Sequence, residues 1–95
     1  MTEEGVQWVF APRQAEKAYL CPCCKFKTLY ARGAYEICPV CFWEDDGQDE
    51  ADAERVLGGP NYSLSLRQAQ ANFKRIGAVE ERVLPHVRAP LPDEI

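Results

Sequence analysis

The sequence predicts a small α+β domain in which a short β-hairpin joins two cysteine knuckles and one helix packs on it. Three observations carry this reading. Two Cys-Pro-x-Cys units, at 21–24 and 38–41, bracket a segment rich in aromatic and β-prone residues. A single capped amphipathic stretch follows at about 66–76. The chain of 95 residues has room for one domain, and a domain of that size buries only roughly 60–65% of its unfolded surface, so a covalent or metal staple adds much to its stability.

Taken in order, residues 1–17 show no sustained periodicity and read as an irregular arm, with Val6, Trp8, Val9 and Phe10 as a candidate docking strand. The domain proper is expected over 18–78. Within it, KFKTLYARGAYEI, broken at Arg32-Gly33, is the expected antiparallel hairpin. The turn Leu57-Gly58-Gly59-Pro60-Asn61 separates two units of structure rather than two domains. In SLRQAQANFKRIG, Ser65 and Gln68 have capping-box spacing and Gly77 suits the C-terminal cap. Leu66, Ala69, Phe73 and Ile76 share one face of that helix and are expected to pack on the hairpin. Pro85, Pro90 and Pro92 exclude a long helix beyond it, so 79–95 is expected to be an extended tail.

Charge divides the chain. Eleven Lys and Arg against fifteen Asp and Glu give a net charge of -4. Glu44, Asp45, Asp46, Asp49, Glu50, Asp52 and Glu54 follow one another without an intervening base, whereas Arg13, Lys17, Lys25, Lys27 and Arg32 surround the first cysteine group. The sequence has neither a basic, apolar start nor a run of about 20 apolar residues, so a cytoplasmic protein without membrane contact is expected. Thiols stay reduced there. Five cysteines, two of them adjacent at 23 and 24, also argue against a disulfide framework.

The cysteines instead have the spacing of a zinc ribbon. Cys21 and Cys24, then Cys38 and Cys41 after thirteen intervening residues, place two thiolates on each of two tight turns. Such a turn aims both sulfurs at one ion about 2.3 Å away, and four thiolates close a tetrahedral shell suited to Zn²⁺. One Zn²⁺ per chain is expected, with Cys23 spare as a packing residue, an extra ligand or a reactive thiol. Lys25 and Lys27 are placed to offset the negative charge of the centre, and Phe42 and Trp43 to cover it. A thioredoxin-like motif would need its Cys-x-x-Cys to open a helix; a catalytic zinc would need an open position; the lone His86, after a proline, reads as a surface residue. Asp45, Asp46 and Asp49 miss the alternating spacing of an EF-hand calcium loop.

CPCC at 21–24, YEICPVCFWEDDGQD at 35–49, GGPN at 58–61 and SLRQAQANF at 65–73 together resemble the bacterial cysteine-rich CPCC proteins. The resemblance covers about 19–78 and implies a zinc-ribbon-like domain without assigning a reaction. One departure is Lys25, where that family usually has glycine. The expected function is that of a non-enzymatic protein-interaction module, of an accessory or immunity-like kind. Its contact surface would be the acidic run, Glu44, Asp45, Asp46, Asp49 and Glu50, facing a basic partner. A nucleic-acid-binding ribbon is the alternative, using Lys25, Lys27 and Arg32 with Arg13, Lys17, Phe26 and Tyr30, although the net charge opposes it. A thiol or redox enzyme is the second alternative.

Overall fold

A computed structural model of the chain describes residues 17–95. The arm expected over 1–17, with its candidate docking strand, otherwise lies outside the described residues. One helix, α1 (Leu66–Ile76), is the main regular element, accompanied by 3-10 turns at Glu50–Asp52, Gly59–Asn61, Glu81–His86 and Pro92–Glu94. No helix among the described residues is long and apolar enough to cross a membrane.

The expected hairpin between the cysteine pairs does not form. Among the described residues, β-structure is limited to two isolated antiparallel bridges, Tyr19 with Leu29 and Ile37 with Glu44. Each bridge closes a knuckle on its own flanks instead of joining one knuckle to the other. The reason lies in the spacer. Leu29 has already exchanged both backbone bonds with Tyr19 (3.1 and 3.2 Å), and the amides of Tyr30 and Ala31 are taken by the Glu36 carboxylate at 2.9 and 3.4 Å. Tyr35 has φ +61°, a left-handed conformation that ends any strand there. The spacer is therefore a loop.

Helix α1 begins and ends where its caps dictate. The Ser65 hydroxyl accepts from the Gln68 amide at 3.0 Å, and Gly77, at φ +85°, donates its amide to the Phe73 carbonyl. Only half of the capping box is built, because the Gln68 side chain turns outward to Asn72 at 2.9 Å. Leu66 and Ala69 are fully buried, and Phe73 packs against the core. Its ring meets Phe26 edge-on at 6.5 Å between centroids. The amphipathic face therefore packs on the first knuckle.

The segment after α1 is a strap rather than an extended tail. A 3-10 turn over Glu81–His86 accommodates Pro85 inside it. Val79 donates to the Cys41 carbonyl at 3.0 Å, Arg88 to the Pro39 carbonyl at 3.1 Å, and the last turn accepts the Lys27 amide on the Glu94 carbonyl at 2.7 Å. The Glu94 side chain is buried. It is gripped by both guanidinium nitrogens of Arg88 at 2.9 Å and by Lys17. The strap thus ties both knuckles together from outside.

Between the knuckles and the helix, Asn61 takes an unusual part. Its side-chain amide accepts from the Glu44 amide at 3.2 Å and donates to the Glu44 carbonyl at 2.8 Å. It stands where a neighbouring strand would otherwise stand.

Candidate metal centre

Each knuckle is built by the same local rule. In the first, Lys25 donates to the Cys21 carbonyl and Cys21 to the Phe26 carbonyl, both at 2.8 Å; in the second, Phe42 donates to Cys38 at 2.8 Å and Cys38 to Trp43 at 2.9 Å. The turn needs a left-handed residue directly after its second cysteine, and Lys25 (φ +71°) and Phe42 (φ +74°) supply it. Glycine would take that conformation without strain. Lysine at 25 nevertheless keeps the turn.

The two turns bring the sulfurs of Cys21, Cys24, Cys38 and Cys41 to within 4.8 Å of one another, all buried. Across the knuckles, Cys21 and Cys41 lie 3.6 Å apart, and Cys24 and Cys38 3.7 Å. A tetrahedron with arms of about 2.3 Å has edges of about 3.8 Å, so these separations fit one metal ion at the centre. Backbone amides point at the sulfurs, Val40 N–H to Cys38 and Trp43 N–H to Cys41, both at 3.4 Å. Thr28, buried beside the first knuckle, has its hydroxyl 3.0 Å from the Cys38 sulfur. The sequence reading did not include Thr28, and nothing in its spacing marks it.

Electrostatics favour a cation here. Contacts from the Cys21, Cys24 and Cys41 thiols, aided by Thr28, pull Cys38 far down. The Cys41 thiol is pushed up, first by Cys21 and then by Cys23. Without a cation one thiolate suppresses its neighbours; a divalent ion removes that conflict and lets all four ionise.

Cys23 is buried as a member of the same core and lies outside the four-sulfur group. Trp43 is fully buried against the cysteines, whereas Phe42 is half-buried and its ring packs on exposed His86, 5.6 Å between centroids. The cover is chiefly Trp43. Gln70 of α1 closes the first knuckle, donating to the Pro22 carbonyl at 2.9 Å.

The basic sector and the acidic run, assigned on sequence to different partners, meet each other. Arg32 donates to Asp45 and to Asp49 at 2.8 Å each, and to the Gln48 carbonyl at 3.0 Å. Asp45 is fully buried and also accepts from the Gly33 amide at 2.8 Å. Lys25 pairs with Glu50 at 2.9 Å, and Glu50 also holds Arg67 and Gln70. Arg32 pulls the Asp49 carboxyl down, and Lys25 leads Gln70 and Arg67 in holding Glu50 down at about 2. Asp49 and Glu50 are exposed, and Glu44 and Asp46 half-buried. Tyr30 is exposed, and Arg13 is outside the described residues.

The cysteine-rich CPCC family model matches residues 19–94, and the chain belongs to that family. The match extends past α1 through the whole strap. No curated protein and no solved structure matches the chain.

Proposed function

We propose that this member of the CPCC family holds one Zn²⁺ per chain as a structural ion and serves as a non-enzymatic module that binds a basic protein in the cytoplasm. The closed, buried shell of four sulfurs carries the reading. Four protein ligands complete the coordination of a tetrahedral ion and leave no position for water or substrate. When bound, zinc would supply cross-linking and charge neutralisation, on the order of 10–16 kcal/mol of apparent binding energy in comparable peptides. Reduced thiols are what a cytoplasmic setting maintains.

The binding role draws on charge. The acids outnumber the bases, and of Lys25, Lys27 and Arg32, the cations of a nucleic-acid reading, Lys25 and Arg32 are already paired with carboxylates. That supports a cationic protein over a phosphate backbone as partner. The accessory or immunity-like setting rests on analogy of size and charge alone.

Metal analysis of protein purified without added zinc tests the first half. The expected result is one zinc per chain, held as tightly in Cys23→Ser and more weakly on substitution of any of the other four; iron at that stoichiometry would overturn it. For the second half, a partner captured from the native cell should associate more slowly with Asp46→Asn/Asp49→Asn protein at low salt, the two rates converging at high salt. Identical rates at low salt would remove the acidic run from the interface.

A further inference from the structure

Beside the second knuckle lies a cavity of about 120 Å³. At roughly 30 Å³ per water, that is space for about four waters or one planar head group. Its walls combine two aromatic rings, Phe42 and Tyr62, apolar Leu64 and Val79, and the carboxyl-bearing Glu44 and Glu80. Arg82 forms a further wall: its guanidinium carbon sits 5.4 Å from the Tyr62 ring centroid while its Nε donates to Glu80 at 2.6 Å. A guanidinium over an aromatic face and against a carboxylate is therefore already recognised here, by the chain's own residue.

We propose that this cavity is the recognition site for an arginine side chain of the basic partner, and that Arg82, on its rim, covers the Tyr62 ring and Glu80 in the partner's absence. Three observations lead there. The first is the charge balance. Two carboxylates line the cavity against one guanidinium, and the Glu44 carboxylate has no hydrogen-bond or ion-pair partner among the described residues; only its backbone is used, by Asn61. A half-buried carboxylate beside apolar walls attracts a second cation more strongly than one in open water.

The second is the backbone of Tyr62, at φ +56° and ψ -120°. Conformations of this kind cost a non-glycine residue on the order of 1–3 kcal/mol and gather at ligand sites. Tyr62 is 67% exposed, so its own burial does not offset that cost. Its ring instead forms a wall of the cavity. The third is that Arg82 is 58% exposed on its side chain and pairs with a near neighbour, Glu80. Such a contact is weak, so an incoming arginine with further contacts elsewhere can displace it.

This inference rests on the protein-interaction reading and names the chemistry of the contact. The test uses the zinc-loaded protein and the small probe Nα-acetyl-arginine methylamide, followed by NMR titration. Arg82→Ala widens the cavity and frees the Tyr62 ring and Glu80 while leaving the buried core untouched. It should bind the probe at least fivefold more tightly than wild type, with shifts centred on Phe42, Glu44, Tyr62 and Val79. Adding Glu44→Gln should weaken that binding at least fivefold, Tyr62→Ala should do the same, and Tyr62→Phe should retain it. The matching lysine probe should bind more weakly, lacking the planar stacking face. Arg82→Ala binding no tighter than wild type, or a Glu44→Gln change without effect, would overturn the proposal. A captured partner that still binds while the probe does not would remove this cavity alone. A cavity that binds the probe in a protein for which no basic partner forms a complex would instead remove the interaction-module reading.

Discussion

Around Cys21–Cys24 and around Cys38–Cys41 the backbone repeats the same two turn hydrogen bonds and a left-handed residue directly after the second cysteine, and each knuckle is flanked by one antiparallel bridge. What holds each turn in place differs. The second knuckle is supported by residues that follow it directly, Trp43 in the core and Asp45 clamped by Arg32. The first is supported from far along the chain, by Gln70 on Pro22 and by the Glu94 carbonyl on Lys27. Both halves of the candidate centre lean on the strap, the second through Val79 on Cys41 and Arg88 on Pro39, but only the first is also closed by the helix and only the second has a core tryptophan and a buried ion pair directly after it.

Ligand removal should show the largest effect. Losing one thiolate of four forfeits roughly a quarter of on the order of 10–16 kcal/mol, or about 100- to 1,000-fold in zinc affinity. Cys38→Ser should lose more than Cys24→Ser, since Cys38 also anchors Thr28 and the Val40 amide. Chelator competition reads this, and equal losses would break the asymmetry. Next in size, Trp43→Ala should cost about 3–5 kcal/mol and half-buried Phe26→Ala about 1–2 kcal/mol. Denaturant unfolding of zinc-saturated protein measures both, and a larger loss at Phe26 would reverse the ranking.

Glu94→Gln should cost about 1–2 kcal/mol, discounted because Lys17 and Arg88 remain partly in solvent. Arg88 first, then the Leu91 amide and Lys17, hold its carboxyl down at about 2 from an ordinary 4.5. The folded value lies below the unfolded one, so this stabilisation is complete above pH 4.5 and is lost as pH falls towards 2. The stability gap between wild type and Glu94→Gln should close across that window. Amide exchange should sharpen the comparison further: Glu94→Gln should speed exchange at Lys27 and leave Cys38 unchanged. The smallest effect belongs to Lys25→Gly, which relieves a left-handed lysine and should stabilise by about 0.5 kcal/mol after loss of the exposed Glu50 pair. Phe42→Gly, which also removes the contact with His86, should destabilise.

The same division governs what could be read from the sequence. The four clustered cysteines and the ends of α1 are legible because each depends on residues a few positions apart: Cys-x-x-Cys turns, Ser65 with Gln68, and the Gly77 cap. The hairpin misled because β-prone composition does not reveal which partner a strand finds. Leu29 pairs backward with Tyr19, and Glu36 takes the amides a ladder would have used. Thr28, Gln70 and Glu94 left no local signal, since each acts on residues placed beside it only by the finished fold. Arg32 and Asp45 look like parts of opposite surfaces in the sequence for the same reason, since no periodicity announces that two charged segments fold onto each other.

The Asn61 amide has a consequence for neighbours in a crowded solution. The outward-facing amide and carbonyl of Glu44 form the free edge of the second knuckle, and an unpaired edge is a template on which a strand of another molecule can add. Asn61 fills both groups from within the chain. That side closes to intermolecular strand addition, so copies of the protein cannot join edge to edge there. An asparagine thus protects a one-residue bridge from aggregation as a whole extra strand would in a larger sheet.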